Sequence, residues 1–210
     1  DLRRSRGLGD VYKRQDIGLT LELGGKAANI VFNDAAIDQA VEGVVNGIFF
    51  NQGHVCCAGS RLVLQEDIHD QFVSKLEKRM QSLRVGNPLD KNTDIGAINS
   101  KEQLDKISEL VNNGVAEGGS IFQTECELPQ NGFWFKPTLF TNAQPSYRIA
   151  REEIFGPVLT TLTFRTPEEA IEISNNTEYG LSAGIWTEKG SKILWTCLLY
   201  TSDAADELRS

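Results

Sequence analysis

The stretch "FNQGHVCCAGSR", Phe50 to Arg61, sets two adjacent cysteines just after a glycine and just before an apolar run. A thiol in a loop near a helix terminus can be held as thiolate, which is the nucleophilic form. Small buried packing residues are the commoner fate of free cysteine. A zinc site fits poorly, because its ligands come as a spaced pair matched by a second pair. Adjacent Cys56 and Cys57 point to different sides, and His54 and His69 are the only histidines. A second stretch, "LELGGK", Leu21 to Lys26, carries one carboxylate, Glu22, in an otherwise apolar run that ends in a Gly-Gly turn. If that run is a buried strand, burial disfavours the charged carboxylate and raises its pKa toward the range useful to a general base. If it is an edge strand, Glu22 faces solvent. Gly24 and Gly25 lack side chains, so backbone there can approach a ligand closely.

The elements that must position these residues lie between two ends that do not share their patterning. "SRGLGDVYKRQ", Ser5 to Gln15, and "CLLYTSDAADE", Cys197 to Glu207, resemble a translated transposon-based sequencing adapter. The codons GAT-GTG-TAT-AAG-AGA-CAG give Asp10 to Gln15, and their reverse complement, read in another frame, runs through Leu198 to Ser202. Residues 1–15 and 197–210 are therefore expected to be non-native, leaving residues 16–196 as one domain truncated at both ends. About 180 residues suffice for one domain with a real core.

The whole chain has 21 basic and 29 acidic residues, for a net charge of −8. Such a balance argues against a nucleic-acid or anionic-membrane surface, which needs clustered positive charge. No run is long and apolar enough to span a bilayer, and no signal peptide is visible. Residues 16–196 contain Cys56, Cys57 and Cys126, an odd number without regular spacing. That is no secreted disulfide framework, and it points to a reducing, cytoplasmic compartment.

Leu19 to Leu23 and Ala28 to Phe32 read as strands, followed by a helix capped by Asn33 or Asp34. Ile37, Ala40, Val41, Val44, Val45, Ile48 and Phe49 share one helical face, and Gly53 ends that helix. Leu62 to Leu64 is a strand; Ile68, Phe72, Leu76, Met80 and Leu83 mark a second helix. Lys101 to Glu117 is a third helix, followed by a strand at Ser120 to Gln123. Phe133 to Phe140 and Val158 to Phe164 read as strands, Pro167 to Asn175 as a helix with proline in its first turn, and Leu181 to Trp186 as a strand. Strands alternating with helices over short connections predict an α/β fold with a mostly parallel sheet covered by helices on both faces.

In this order, "LELGGKAA", "FNQGHVCCAGSR" and "REEIFGPV" (Arg151 to Val158) resemble three signatures of the aldehyde dehydrogenase superfamily. The resemblance covers essentially all of residues 16–196. It implies NAD(P)-dependent oxidation of a small-molecule aldehyde to the carboxylic acid, through a thiohemiacetal and a thioester on the nucleophile. By residue, it implies Cys56 as nucleophile and Glu22 as general base. Glu153 becomes the ribose-binding glutamate, Phe155 the nicotinamide contact, and Leu23 and Gly24 lie beside the cofactor. NAD and NADP both remain open, no metal is implied, and the parent would be a homo-oligomer. His54 departs from the usual Gln or Glu. The family's adenine and pyrophosphate sites and an oxyanion-stabilising Asn would precede Asp16, and a tail that helps build its dimer sheet would follow Thr196. The chain alone is therefore expected to be inactive. Two other readings stand beside this one. A catalytically silent scaffold member would not need Cys56, Glu22, Glu153 and Phe155 intact, and a cofactor-independent thiol acyl hydrolase would not need Glu153 and Phe155.

Overall fold

The computed structural model describes residues 22–200. Six strands make one sheet: β1 (Ala28–Val31), β2 (Arg61–Gln65), β3 (Ile121–Gln123), β4 (Thr138–Phe140), β5 (Val158–Phe164) and β6 (Ala183–Trp186). Their spatial order is β3-β4-β5-β2-β1-β6. β3 pairs antiparallel with β4; the other four pairings are parallel. The central strands β1 and β2 are buried almost throughout, which is why they read as apolar runs and not as alternating ones.

Both faces of the sheet are covered. Helices α1 (Ile37–Phe49) and α2 (His69–Met80) bury Val44, Ile48, Phe72 and Leu76 against Val31, Leu62, Leu64 and Leu159. On the opposite face α5 (Pro167–Asn175) places Ala170 and Ile173 against Ala28, Ile30, Val63 and Phe164. The residues of β1 thus divide by parity between the two cores, as a strand's period of two requires. Helix α3 (Lys101–Ala116) packs Ile107, Leu110 and Val111 on Ile149 of the short α4 (Arg148–Arg151) and on Phe140 and Val158. Helix α6 (Gly190–Leu199) closes the described chain.

Several expectations about the elements need correction. Neither Asn33 nor Asp34 caps α1; Ala36 stands at that position with no side-chain bond. Asn33 instead donates from Nδ2 to Asp67 Oδ2 at 2.7 Å, and Asp34 accepts from Thr187 and Lys192. The strand expected at Phe133 to Phe140 is confined to Thr138–Phe140. Pro137 has no N–H for a ladder, and the Phe133 carbonyl is engaged by the Ile98 amide at 2.7 Å. Of the strand expected at Leu19 to Leu23, residues 19–21 lie outside the described residues, while Glu22 and Leu23 are exposed and not in a strand. The segments 1–15 and 201–210 also lie outside them. Cys197 to Tyr200, assigned from sequence to the non-native end, supply the last turn of α6 and a buried Tyr200, whose hydroxyl donates to the Ser182 carbonyl at 3.2 Å.

The topology decides where function-bearing residues can meet. Gly24–Ala27 lead into β1, Cys56–Ser60 into β2, Glu153–Pro157 into β5 and Leu181–Ser182 into β6. These four strands are adjacent and parallel, so all four lead-in segments gather at the amino end of the sheet. Open parallel sheets more often use their carboxyl ends.

Candidate functional site

Helix α1 gives way to a 3-10 turn, Phe50–Gly53, in which Asn51, Gln52 and Gly53 all have positive φ (49°, 49° and 76°). This reversal delivers Val55 to a tight turn closed by the Ala58 amide on the Val55 carbonyl at 3.0 Å, with Cys56 and Cys57 at its two central positions. Both cysteines are exposed and free. The bland expectation of two buried thiols is therefore not met. Ser182 donates from its hydroxyl to the Cys57 carbonyl at 3.3 Å and ties the turn to the β6 lead-in.

The Gly-Gly turn sits against this loop. A Cβ on Gly25 would lie 2.1 Å from the Cys56 carbonyl oxygen, so no other residue fits there without displacing the cysteine loop. The Gly25 amide donates to Glu153 Oε1 at 2.8 Å. At Gly24 a Cβ would stand 3.0 Å from Glu153 Oε2 and 3.2 Å from the Tyr179 ring. What approaches these glycines closely in the structure is the protein itself, the Cys56 carbonyl at Gly25 and the Glu153 carboxylate at both. Gly25, Gly53, Val55, Ala58, Glu153 and Phe155 line a small cleft between the three signature segments.

Phe155 is the one non-glycine residue of "REEIFGPV" with positive φ, at 54°. Its carbonyl and that of Ile154 both accept from Gln103 Nε2, at 3.0 and 2.8 Å. Its ring lies parallel to that of His54, with centroids 5.2 Å apart and planes inclined by 4°. The structure therefore brings Cys56, Gly24, Gly25, Glu153, Phe155 and His54 together. Glu22 and Leu23 remain exposed at the edge of the described chain. The burial of Glu22 expected from its apolar neighbours is absent there, because the run containing it forms no strand among the described residues.

Two buried basic residues that the motifs do not mark out by themselves are Lys26, in the β1 lead-in, and Arg61, at the head of β2. Arg61 is 1% exposed and donates to three carbonyls: Lys26 from Nε at 2.8 Å, Ile173 from Nη1 at 3.0 Å and Ser174 from Nη2 at 2.8 Å. It staples the β1 lead-in to the end of α5. Lys26 is also 1% exposed, and its Nζ has no hydrogen-bond partner. Burial, and after it the Arg61 cation, lower its pKa to about 7 against the raising influence of Glu153 and Glu152. The one available signal is an arginine placed directly before the apolar run Leu62–Leu64.

A pH dependence of stability follows. The folded chain gives up the Lys26 proton near neutrality, whereas an unfolded lysine keeps it to 10.5. Between those values the unfolded state binds more protons, so this group makes the fold more stable as pH rises. Relative to Lys26→Met, the wild type should gain up to about 1.4 kcal/mol per pH unit between about pH 7 and about pH 9. Urea unfolding of both proteins at the two pH values checks this; a difference that does not change with pH would refute it.

Among the described residues, no group of three or more His, Cys, Asp and Glu side chains is placed to hold a metal ion. No described helix is long and apolar enough to cross a membrane. Fold and site together define an α/β domain that presents a turn-borne thiol beside a glycine-cradled carboxylate. Comparison with known proteins gives the family. The profile of the aldehyde dehydrogenase family matches residues 10–197, and the chain belongs to that family. It is 45% identical over 170 residues to an aldehyde dehydrogenase of Emericella nidulans, covering 81% of this chain and 34% of that protein. It is 46% identical over 176 residues to human retinal dehydrogenase 2, covering 84% of this chain and 34% of that protein. Among solved structures, an NAD-dependent aldehyde dehydrogenase from Sinorhizobium meliloti superposes with a TM-score of 0.85 at 38% identity, covering 95% of this chain and 40% of that one. Betaine aldehyde dehydrogenase from Staphylococcus aureus in complex with NAD+ gives 0.83 at 33% identity, covering 94% and 40%. The chain thus spans about a third of the length of these curated relatives.

Proposed function

We propose that the full-length parent of this chain oxidises a small-molecule aldehyde to the carboxylic acid with NAD or NADP, and that the 210-residue chain alone is inactive. The observation that carries the reading is the Gly25 junction. One residue touches the Cys56 carbonyl on one side and holds Glu153 by a 2.8 Å hydrogen bond on the other, so nucleophile and cofactor carboxylate share a single fixed point.

The residues present fit the dinucleotide. Glu153 is half-buried and keeps one oxygen on the Gly25 amide, which leaves the other to accept from a ribose hydroxyl. Gly24 adds no side chain of its own beside that oxygen, where a Cβ would crowd both Glu153 and the Tyr179 ring, and Leu23 is next to it in sequence. Phe155, fixed through its backbone by Gln103, offers an apolar ring to the nicotinamide. When bound, NAD(P) accepts a hydride. Cys56, at the tip of its turn, is free to add its thiolate to the aldehyde carbon, giving a thiohemiacetal whose oxyanion needs preorganised donors. The Cys56 backbone N–H is one such donor by resemblance to the family. Loss of hydride from the thiohemiacetal carbon leaves a thioester on Cys56. Glu22 then takes a proton from the water that attacks the thioester, and Cys56 departs as thiolate.

The reading is tested on the full-length parent by following NADH or NADPH formation with a panel of small aldehydes; no turnover with either cofactor would end it. Glu153→Gln keeps an acceptor for Gly25 but removes the charge. It should raise KM for the cofactor roughly tenfold with kcat far less affected. A change confined to kcat would remove Glu153 from cofactor binding.

A further inference from the structure

We propose that His54 is a positioning residue, an aromatic shelf that registers the cofactor turn to the nucleophile loop by stacking on Phe155. The inference rests on the reading of Phe155 as a cofactor contact. A bulky residue at φ 54° occupies a sparsely populated backbone region and stays there only when its surroundings hold it. Gln103 holds the backbone, through the Ile154 and Phe155 carbonyls, but does not orient the ring. His54 does. A centroid separation of 5.2 Å with planes only 4° apart is an offset stack, the arrangement aromatic pairs favour.

His54 is itself held in place. Its amide donates to the Asn51 carbonyl at 3.0 Å, and Asn51 Nδ2 donates back to the His54 carbonyl at 3.1 Å. Immediately before it, Gly53 presses on the other turn: a Cβ there would lie 2.1 Å from the Gly156 carbonyl oxygen. The two turns therefore meet twice, by backbone at Gly53 and Gly156 and by rings at His54 and Phe155. Cys56 follows two residues later, so the ring contact also restrains the loop that carries the thiol. The imidazole suits this place as a flat ring more than as a base. Its Nε2 is buried with no hydrogen-bond partner, and burial lowers its pKa, so it stacks in the uncharged form. An uncharged shelf adds no repulsion toward the cationic ring of an oxidised nicotinamide.

The test compares His54→Ala and His54→Phe with wild type in the full-length parent, with two readouts. The first is steady-state oxidation with varied NAD or NADP. His54→Ala should raise KM for the cofactor roughly three- to tenfold with kcat within about twofold, and His54→Phe should restore most of it, because stacking and not polarity is what is lost. The second needs neither cofactor nor aldehyde. Iodoacetamide should alkylate Cys56 several-fold faster in His54→Ala, whose loop has lost its ring contact, and at close to the wild-type rate in His54→Phe. A His54→Phe protein as impaired as His54→Ala would overturn the proposal, as would His54→Ala matching wild type in both readouts. If the wild-type parent oxidises no aldehyde, the proposed function fails, and the alkylation rates still decide whether His54 orders the loop.

Discussion

In the full-length parent, Cys56→Ala should abolish aldehyde oxidation, by at least about four orders of magnitude in kcat/KM, while Cys57→Ala should leave it within about threefold. The two thiols are one residue apart in one turn, both exposed, and identical in chemistry, so the asymmetry must come from what their backbones touch. The Cys56 carbonyl abuts Gly25, which in turn holds Glu153, so Cys56 is fixed relative to the carboxylate proposed to carry the ribose. The Cys57 carbonyl faces Ser182 on the far lead-in, where no cofactor residue is placed. A nucleophile lost to alanine leaves nothing to form the thioester, whereas loss of a neighbour's exposed thiol costs only local packing. Steady-state kinetics on both variants, with mapping of an iodoacetamide label by mass, settles the assignment. Equal loss from both changes would show that the wrong thiol has been chosen or that the pair acts as a unit.

Much of the scaffold was legible in the sequence wherever one local rule faced no tertiary competitor. Helix α5 begins and ends where expected, because Thr166 caps it by accepting from the Glu169 amide and Pro167 occupies the first turn, where a missing N–H does no harm. Helix α3 is similarly self-contained, with Ser100 accepting from the Gln103 amide. The cap of α1 was misread because Asn33 and Asp34, good caps by type, have stronger offers from Asp67, Thr187 and Lys192, the last lying 158 positions along the chain. Strand β4 is shorter than its apolar content predicts, because Pro137 has no N–H for the ladder.

The site was legible as three separate motifs but not as an arrangement. The family resemblance named Cys56, Gly24, Glu153 and Phe155; nothing in the motifs says that Gly25 bonds Glu153 across 128 residues, or that a histidine stacks on Phe155. Those contacts follow from strand order, which puts the lead-ins of β1, β2, β5 and β6 side by side. Order in a sheet is a property of the whole chain. The buried basic residues show the same gap: Lys26 and Arg61 stand in the motifs, but the carbonyls of Ile173 and Ser174 that hold the Arg61 guanidinium come from α5, more than a hundred residues away.

Glu22→Gln separates the two halves of the proposed reaction. In the parent, the variant should turn over about two to four orders of magnitude more slowly, the range expected for loss of a general base. It should nevertheless release a first burst of NADH or NADPH close to one equivalent per site. The order of events requires this: hydride leaves the thiohemiacetal before any water is activated, so an enzyme without its base stalls as the thioester. The position of Glu22 makes the test clean. It is exposed and outside any described strand, so exchanging its carboxylate for an amide should change stability by no more than about 0.5 kcal/mol. An unchanged urea midpoint of the variant parent would show that a loss of turnover does not come from unfolding. Rapid mixing resolves the burst from the steady state. If the burst disappears along with turnover, Glu22 acts before hydride transfer, as the group that deprotonates Cys56; if neither changes, another residue activates the water.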